Sequence, residues 1–240
     1  MSALEQVDDL LRGRSEQLRN FVLEAPLERS SIFAFVDRQA RVLKAGARVL
    51  DVGAGDAPYR ELFVGQEYLT LDHDDTEHAG NVDLHGSADS IPAGAGEFDV
   101  VVCTQVLEHV PEPLTALREF HRVLVPGGLL LATVPFVWEE HELPHDYFRY
   151  TRPGIEHLLR RAEYAEWEVQ PRTDCFTTLA QLAHNCAWIA GSAPDGLDPA
   201  RRRAREALEQ LSESLVALAP LDIDKRLPLG YTVRAVAGMP

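Results

Sequence analysis

The chain has 240 residues, 45% of them hydrophobic and 25% charged, proportions of a folded globular protein that exclude collagen, coiled coil and disorder. Its 38 acidic against 23 basic residues leave a net charge of −15, a field that repels phosphodiester backbones and anionic lipid, so neither nucleic acid nor a membrane is expected as partner. Cys103, Cys175 and Cys186 have no CxxC spacing, which gives neither a disulfide framework nor a zinc knuckle and suits a reducing compartment; the cytoplasm is the expected location.

The acidic stretch Met1–Leu10 has no apolar core and does not read as a signal peptide. Residues 4–24 and 28–44 read as two helices broken at Pro26, with Leu4, Val7, Leu11, Leu18, Phe21 and Val22 forming an apolar stripe. They make a cap over residues 1–46. From Arg48 short β-branched runs alternate with helical segments: strand 47–52, helix 57–64, strands 67–72, 81–85 and 98–104, helix 113–124, strand 128–134. That alternation predicts an α/β fold with a doubly wound, mostly parallel sheet. Val100-Val-Val102 and Leu129-Leu-Leu131 are continuously apolar, as central strands covered on both faces must be. The run Leu129–Trp138 is too short to cross about 30 Å of bilayer. After a polar, aromatic loop at 135–151 come a helix at 152–163, a strand at 165–170, helices at 175–190 and 199–218, and a last strand near Tyr231–Val236. Residues 47–240 are thus read as one domain with a helical insertion at about 172–220. Leu208, Leu211, Leu215 and Leu218 give the second inserted helix an apolar face that must pack. Arg201, Arg202, Arg203 and Arg205 read as its solvated face.

The sharpest feature is Arg48-Val-Leu-Asp-Val-Gly-Ala-Gly-Asp-Ala-Pro58, a strand entering a glycine turn. Such a turn presents backbone N–H groups to a ligand. A dinucleotide site wants GxGxxG, but Pro58 stands at the sixth position and Asp51 precedes the turn. A carboxylate there disfavours a pyrophosphate and suits an ammonium group. Asp72, 17 residues after Gly55, ends the second strand, where a carboxylate can accept both hydroxyls of a ribose. Gly86-Ser-Ala-Asp-Ser-Ile-Pro92 is placed to close over an adenine. The ligand read from these residues is an adenosine with a zwitterionic tail.

At this point the chain resembles the class I S-adenosylmethionine-dependent methyltransferases over residues 47–170. Asp51-Val-Gly-Ala-Gly-Asp-Ala57 is similar to their first motif, D/E-x-G-x-G-x-G, with Ala57 for the third glycine. Asp72, the Gly86–Pro92 loop, Phe98–Val110 and Leu117–Gly128 fall where the family's later motifs lie. The resemblance implies a Rossmann-like, seven-stranded sheet and S-adenosylmethionine as cofactor. It implies further that Asp51, Gly53, Ala54 and Gly55 hold the methionine part and Asp72, with His73 beside it, the ribose. Ser87, Ala88 and Asp89 would meet the adenine edge, and Thr104 and Gln105 would approach the sulfonium. Members often carry Asp where Ser87 stands.

Methyl transfer from a sulfonium is an in-line displacement, so the protein must align a nucleophile and, for a hydroxyl, remove its proton. The candidates are Glu108 and His109 after strand four and the His, Glu, Tyr and Arg side chains of the 138–151 loop; His109 or His145 is the expected base, and His141, Tyr147 and Arg149 are expected to hold the acceptor. Pro144-His-Asp-Tyr-Phe-Arg-Tyr-Thr151 is similar to a loop of bacterial carbohydrate and natural-product methyltransferases, which implies a sugar or natural-product hydroxyl. Some family members bind magnesium through an E-x-x-E-H pattern here; this chain has Gln105 at its first position, followed by Glu108 and His109. His141 or His145 could complete such a set, but an amide oxygen is a weaker ligand for a hard cation, so a divalent metal is left open and not favoured. N- or C-methylation, a nicotinamide oxidoreductase and a non-catalytic adenosine-binding protein are the alternatives. A small-molecule acceptor and a homodimer are the partners the reading leaves open.

Overall fold

A computed structural model describes residues 3–73, 82–191 and 198–239. The chain forms two compact units, one of residues 32–170 and 230–240, the other of residues 1–31 and 171–229. The amino-terminal residues thus group with the segment between the last two strands, and the expected 1–46 cap is divided inside one helix. That helix, Pro26–Ala40, belongs to both units by sequence.

The larger unit is built on seven strands: β1 Arg48–Val52, β2 Glu67–Asp72, β3 Leu84–His85, β4 Phe98–Thr104, β5 Leu124–Pro135, β6 Tyr164–Pro171 and β7 Gly230–Ala237. They lie in the order β3-β2-β1-β4-β5-β7-β6. β1 is parallel to β2 and β4, β4 to β5, and β7 runs antiparallel to β5 from Leu129↔Val236 to Pro135↔Gly230. Val49, Leu50, Val101, Val102, Leu130 and Leu131 are all buried, which is why these strands are uniformly apolar. In the helix Pro113–Val123, Ala116, Leu117, Phe120 and Val123 are completely buried; Phe120 alone contributes about 2–3 kcal/mol of apolar burial.

Two expectations fail for local reasons. The helix read at 57–64 is only a 3-10 turn at Arg60–Leu62. Ala57 has φ +50 and Gly65 φ +89, so the chain leaves the glycine turn and enters β2 with too few residues between for an α-helix. Tyr59, Leu62 and Phe63 are nevertheless buried. The helix read at 4–24 is two helices, Ala3–Leu10 and Glu16–Glu24, separated at Gly13 with φ +79. Ser15 caps the second by accepting from Leu18 N at 3.2 Å.

The smaller unit is helical. Helix Cys175–Gly191 packs on helix Pro199–Val216, and Ser212 Oγ donates to Ala180 O at 2.9 Å. Leu208 and Leu215 are half-buried, whereas Leu211 and Leu218 are exposed, so only part of the expected apolar face is covered. Gln181 Oε1 accepts from the N–H groups of Leu27 and Glu28 at 3.1 Å. Arg172 pairs with Glu28 at 2.7 Å with both side chains buried. Among the described residues no helix is long and apolar enough to cross a membrane.

Candidate active site

The carboxyl ends of β1, β2 and β4 open into a cavity of about 570 Å³, within the range of small-molecule sites. The first wall is the turn after β1. Gly53 and Gly55 have φ +67 and +53, a region where glycine carries no steric penalty. A Cβ at Gly53 would also lie 2.4 Å from Val106 Cγ2, so glycine lets the turn approach the segment after β4. The turn is tied to β2: Gly53 N and Ala54 N donate to Leu71 O at 2.8 and 3.2 Å, and Gly55 N donates to Asp72 Oδ2 at 2.8 Å. Asp72 Oδ1 accepts from His73 N at 2.8 Å. Among the described residues each oxygen of Asp72 accepts one backbone N–H, and a carboxylate oxygen can take a further donor.

Not every expected residue reaches the cavity wall. Gly53, Gly55, Asp72, His73, Ala88 and Gln105 line it; Asp51, Ala54, Ser87, Asp89 and Thr104 do not. Asp51 is buried under the turn and accepts from Tyr68 OH. Burial raises its carboxyl to about 7; the Tyr68 bond opposes this and the charge of Asp72 adds to it. Ser87 Oγ bonds Asp89 instead of pointing inward, and the backbone at Gly86 and the methyl of Ala88 form that wall. Thr104 ends β4 beside Thr133, and Gln105, with φ +55, donates through Nε2 to Thr133 Oγ1 at 2.9 Å.

His109 and Glu142 also line the cavity. His109 Nδ1 lies 2.8 Å from His145 O; a carbonyl only accepts, so Nδ1 carries a proton, and whenever the ring is neutral the lone pair is on Nε2. Nε2 is 3.7 Å from Glu142 Oε2 and 4.0 Å from Glu108 Oε1. The two candidate bases thus take different places. His145 contributes its carbonyl, while its exposed ring lies beside Tyr147, with Nδ1 3.0 Å from the Tyr147 hydroxyl. His141 stacks edge-on against His109 with ring centroids 4.7 Å apart. Arg149, expected to orient an acceptor, faces its own loop, as does Asp146. Val106 and Val110, and from the candidate loop Glu142, also line the cavity; Glu142 has φ +52, for which the sequence carries no glycine or asparagine signal.

The donor set fits S-adenosylmethionine: a carboxylate for ribose hydroxyls, a small apolar wall at Ala88, Val106 and Val110, and a glycine turn held close. Methyltransferase domains match residues 26–184 of the sequence, about two thirds of the chain.

The chain belongs to this methyltransferase domain family.

It is a class I, S-adenosylmethionine-dependent methyltransferase with the Rossmann-like sheet of that class. The ubiquinone biosynthesis O-methyltransferase of Thiobacillus denitrificans is 31% identical over 169 residues, 58% of this chain and 71% of that protein. The demethylmenaquinone methyltransferase of Staphylococcus haemolyticus is 29% identical over 154 residues, covering 55% of this chain but only 63% of that relative's length. Among solved structures, the [4+2]-cyclase SpnF matches with a TM-score of 0.56 and 22% identity over 88% of this chain and 82% of that one, a likeness of fold.

Around His109 the residues also fit a cation. Glu108, His109 and His141 offer ligand atoms that all lie within 4.8 Å of one another, and two imidazoles with one carboxylate suit a divalent transition metal.

Proposed function

We propose that this methyltransferase moves the methyl group of S-adenosylmethionine to a hydroxyl of a small metabolite, with His109 taking the hydroxyl proton. The observation that carries the reading is that His109 lines the same cavity as Gly53, Gly55 and Asp72 while its Nδ1 is held by a carbonyl. Only Nε2 is left to act as base. Asp72 and His73 would bind the ribose, Gly53 and Gly55 the methionine part, and Ala88 the adenine face. The methyl-bearing sulfur would then lie between the turn and Gln105. S-adenosylmethionine bound there would supply the methyl group from its sulfonium and become S-adenosylhomocysteine, while the chain's part would be to hold the acceptor oxygen in line and to receive its proton on His109 Nε2. Alignment supplies most of the rate, since the reaction needs two groups held in line.

The ubiquinone biosynthesis O-methyltransferase supports an oxygen acceptor, the demethylmenaquinone methyltransferase does not separate oxygen from carbon, and the 144–151 run suggests a sugar or natural-product hydroxyl. N- and C-methylation are the alternatives: a neutral amine attacks through its own lone pair and needs no base at His109, whereas a carbon acceptor must also lose a proton. Turnover tests the reading: His109→Gln should lower turnover on a hydroxylated acceptor by about 10²–10⁴-fold, the usual share of general base catalysis, with S-adenosylhomocysteine affinity kept. Undiminished turnover refutes it.

A second reading uses the Glu108–His109–His141 cluster. A divalent cation held there would polarise the acceptor hydroxyl. His109 Nε2 cannot both ligate a cation and accept a proton, so the readings exclude each other.

A further inference from the structure

We infer that Asp146 and Arg149 are the positioning pair for His109, acting through the loop that carries them; this rests on His109 being the group that meets the acceptor hydroxyl. All five N–H donors of Arg149 have an acceptor in that loop. Nη1 and Nη2 hold the two oxygens of Asp146 at 2.6 and 2.7 Å. The same guanidinium donates to the carbonyls of Trp138 at 3.3 Å, Glu139 at 2.6 Å and Phe148 at 2.9 Å. Arg149 therefore ties both arms of the 138–149 segment to one plane, which a single ammonium could not do.

Asp146 extends the clamp. Its Oδ2 accepts from His141 N at 3.0 Å and lies 3.3 Å from His141 Nδ1. Its side chain is almost fully buried, and the bond from Arg149 holds its carboxyl well below the usual carboxylate range. The acid is thus a permanent anion at the root of the loop. Between His141 and Asp146 the chain turns back, with His145 N donating to Glu142 O at 3.0 Å. That turn sets two groups at the acceptor end: the carbonyl of His145, which fixes the ring proton of His109, and the carboxylate of Glu142. Beyond the clamp the loop is fastened to the turn after β4, where Tyr147 N and Phe148 N donate to Glu108 O at 2.9 and 3.3 Å. Tyr150 OH donates to Leu107 O at 2.7 Å. Neither Asp146 nor Arg149 lines the cavity. They govern His109 by deciding where one main-chain carbonyl stands, and this is useful whether His109 Nε2 receives a proton or a cation.

The readout is the tautomer of His109, which nitrogen chemical shifts report in the full-length protein without any acceptor. The ring is assigned by its disappearance in His109→Gln, and spectra are taken at a pH where it is neutral. In the wild type a single Nδ1-protonated form is expected. In Asp146→Asn and in Arg149→Lys the His109 signals should move to a mixture with the Nε2-protonated form. S-adenosylhomocysteine affinity in both variants should stay within about twofold of wild type, because Gly55 and Asp72 are untouched. A wild-type ring protonated on Nε2 overturns the inference, as does an unchanged Nδ1-protonated ring in either folded variant; if Asp146→Asn does not fold, the wild type and Arg149→Lys decide. Should His109→Gln keep full turnover while the variants shift the tautomer, the proton-transfer reading falls and the positioning of the ring stands.

Discussion

Asp51 makes the stability of the larger unit depend on pH in a direction opposite to that of most acids. Its carboxyl is raised from 3.8 to about 7, mainly by burial. Between those values the unfolded chain has released a proton that the native chain still holds. Stability therefore falls as pH rises through this window and levels off above about 7, where both states are ionised. The rise of about 3 units corresponds to about 4 kcal/mol at 1.36 kcal/mol per unit. Asp51→Asn keeps the shape and an acceptor for Tyr68 OH but has no proton to lose. The advantage of the variant over wild type should then grow by about 3 kcal/mol between pH 4.5 and 7.5. Urea unfolding followed by fluorescence measures it, in a Trp188→Phe background so that Trp138 and Trp167 of the larger unit give the signal. Asp83, Glu119 and Asp146, all lowered, titrate below the window and cancel in the difference. A difference that stays constant with pH would mean that Asp51 is ionised in the native state, and the account of its burial would be wrong.

Asp72→Ala should weaken S-adenosylhomocysteine binding by about 1–3 kcal/mol, the scale of a lost buried hydrogen bond; calorimetric titration measures this, and unchanged affinity removes the ribose assignment. Gly53→Ala would place a Cβ 2.4 Å from Val106 at φ +67, so its melting temperature should fall and cofactor affinity with it; wild-type values for both would show the turn to be slack. His145→Ala should retain turnover within about threefold, since the residue supplies a carbonyl to His109, whereas a loss matching the 10²–10⁴-fold of a missing base would return His145 to the chemistry. Treatment with a chelator should leave turnover unchanged if His109 acts as base; loss of activity restored by a divalent cation would establish the Glu108–His109–His141 cluster as a metal site.

The residues that were legible in advance are those whose role is fixed by the backbone. Uniformly apolar runs at 100–102 and 129–131 announce central strands because both faces are covered. Gly53, Gly55 and Asp72 sit at strand ends, so a motif and a spacing suffice to bring them together. Side chains on the loop after β5 were not legible in the same way, since a loop's composition says which chemistry is present but not which atom points inward. Asp51 shows the limit within the motif itself: its place on β1 was clear, yet the partner that turns it under the glycine turn is Tyr68, four residues before Asp72, and nothing in the motif names it. Arg149 and His145 show it in the loop. A guanidinium in a polar loop reads as a substrate clamp until three carbonyls and Asp146 are seen to take its donors. A histidine reads as a base until its carbonyl is found on another histidine's nitrogen. Both act on the reacting end at second hand, and such residues have no signature of their own, because what selects them is the path of the main chain around the group they hold.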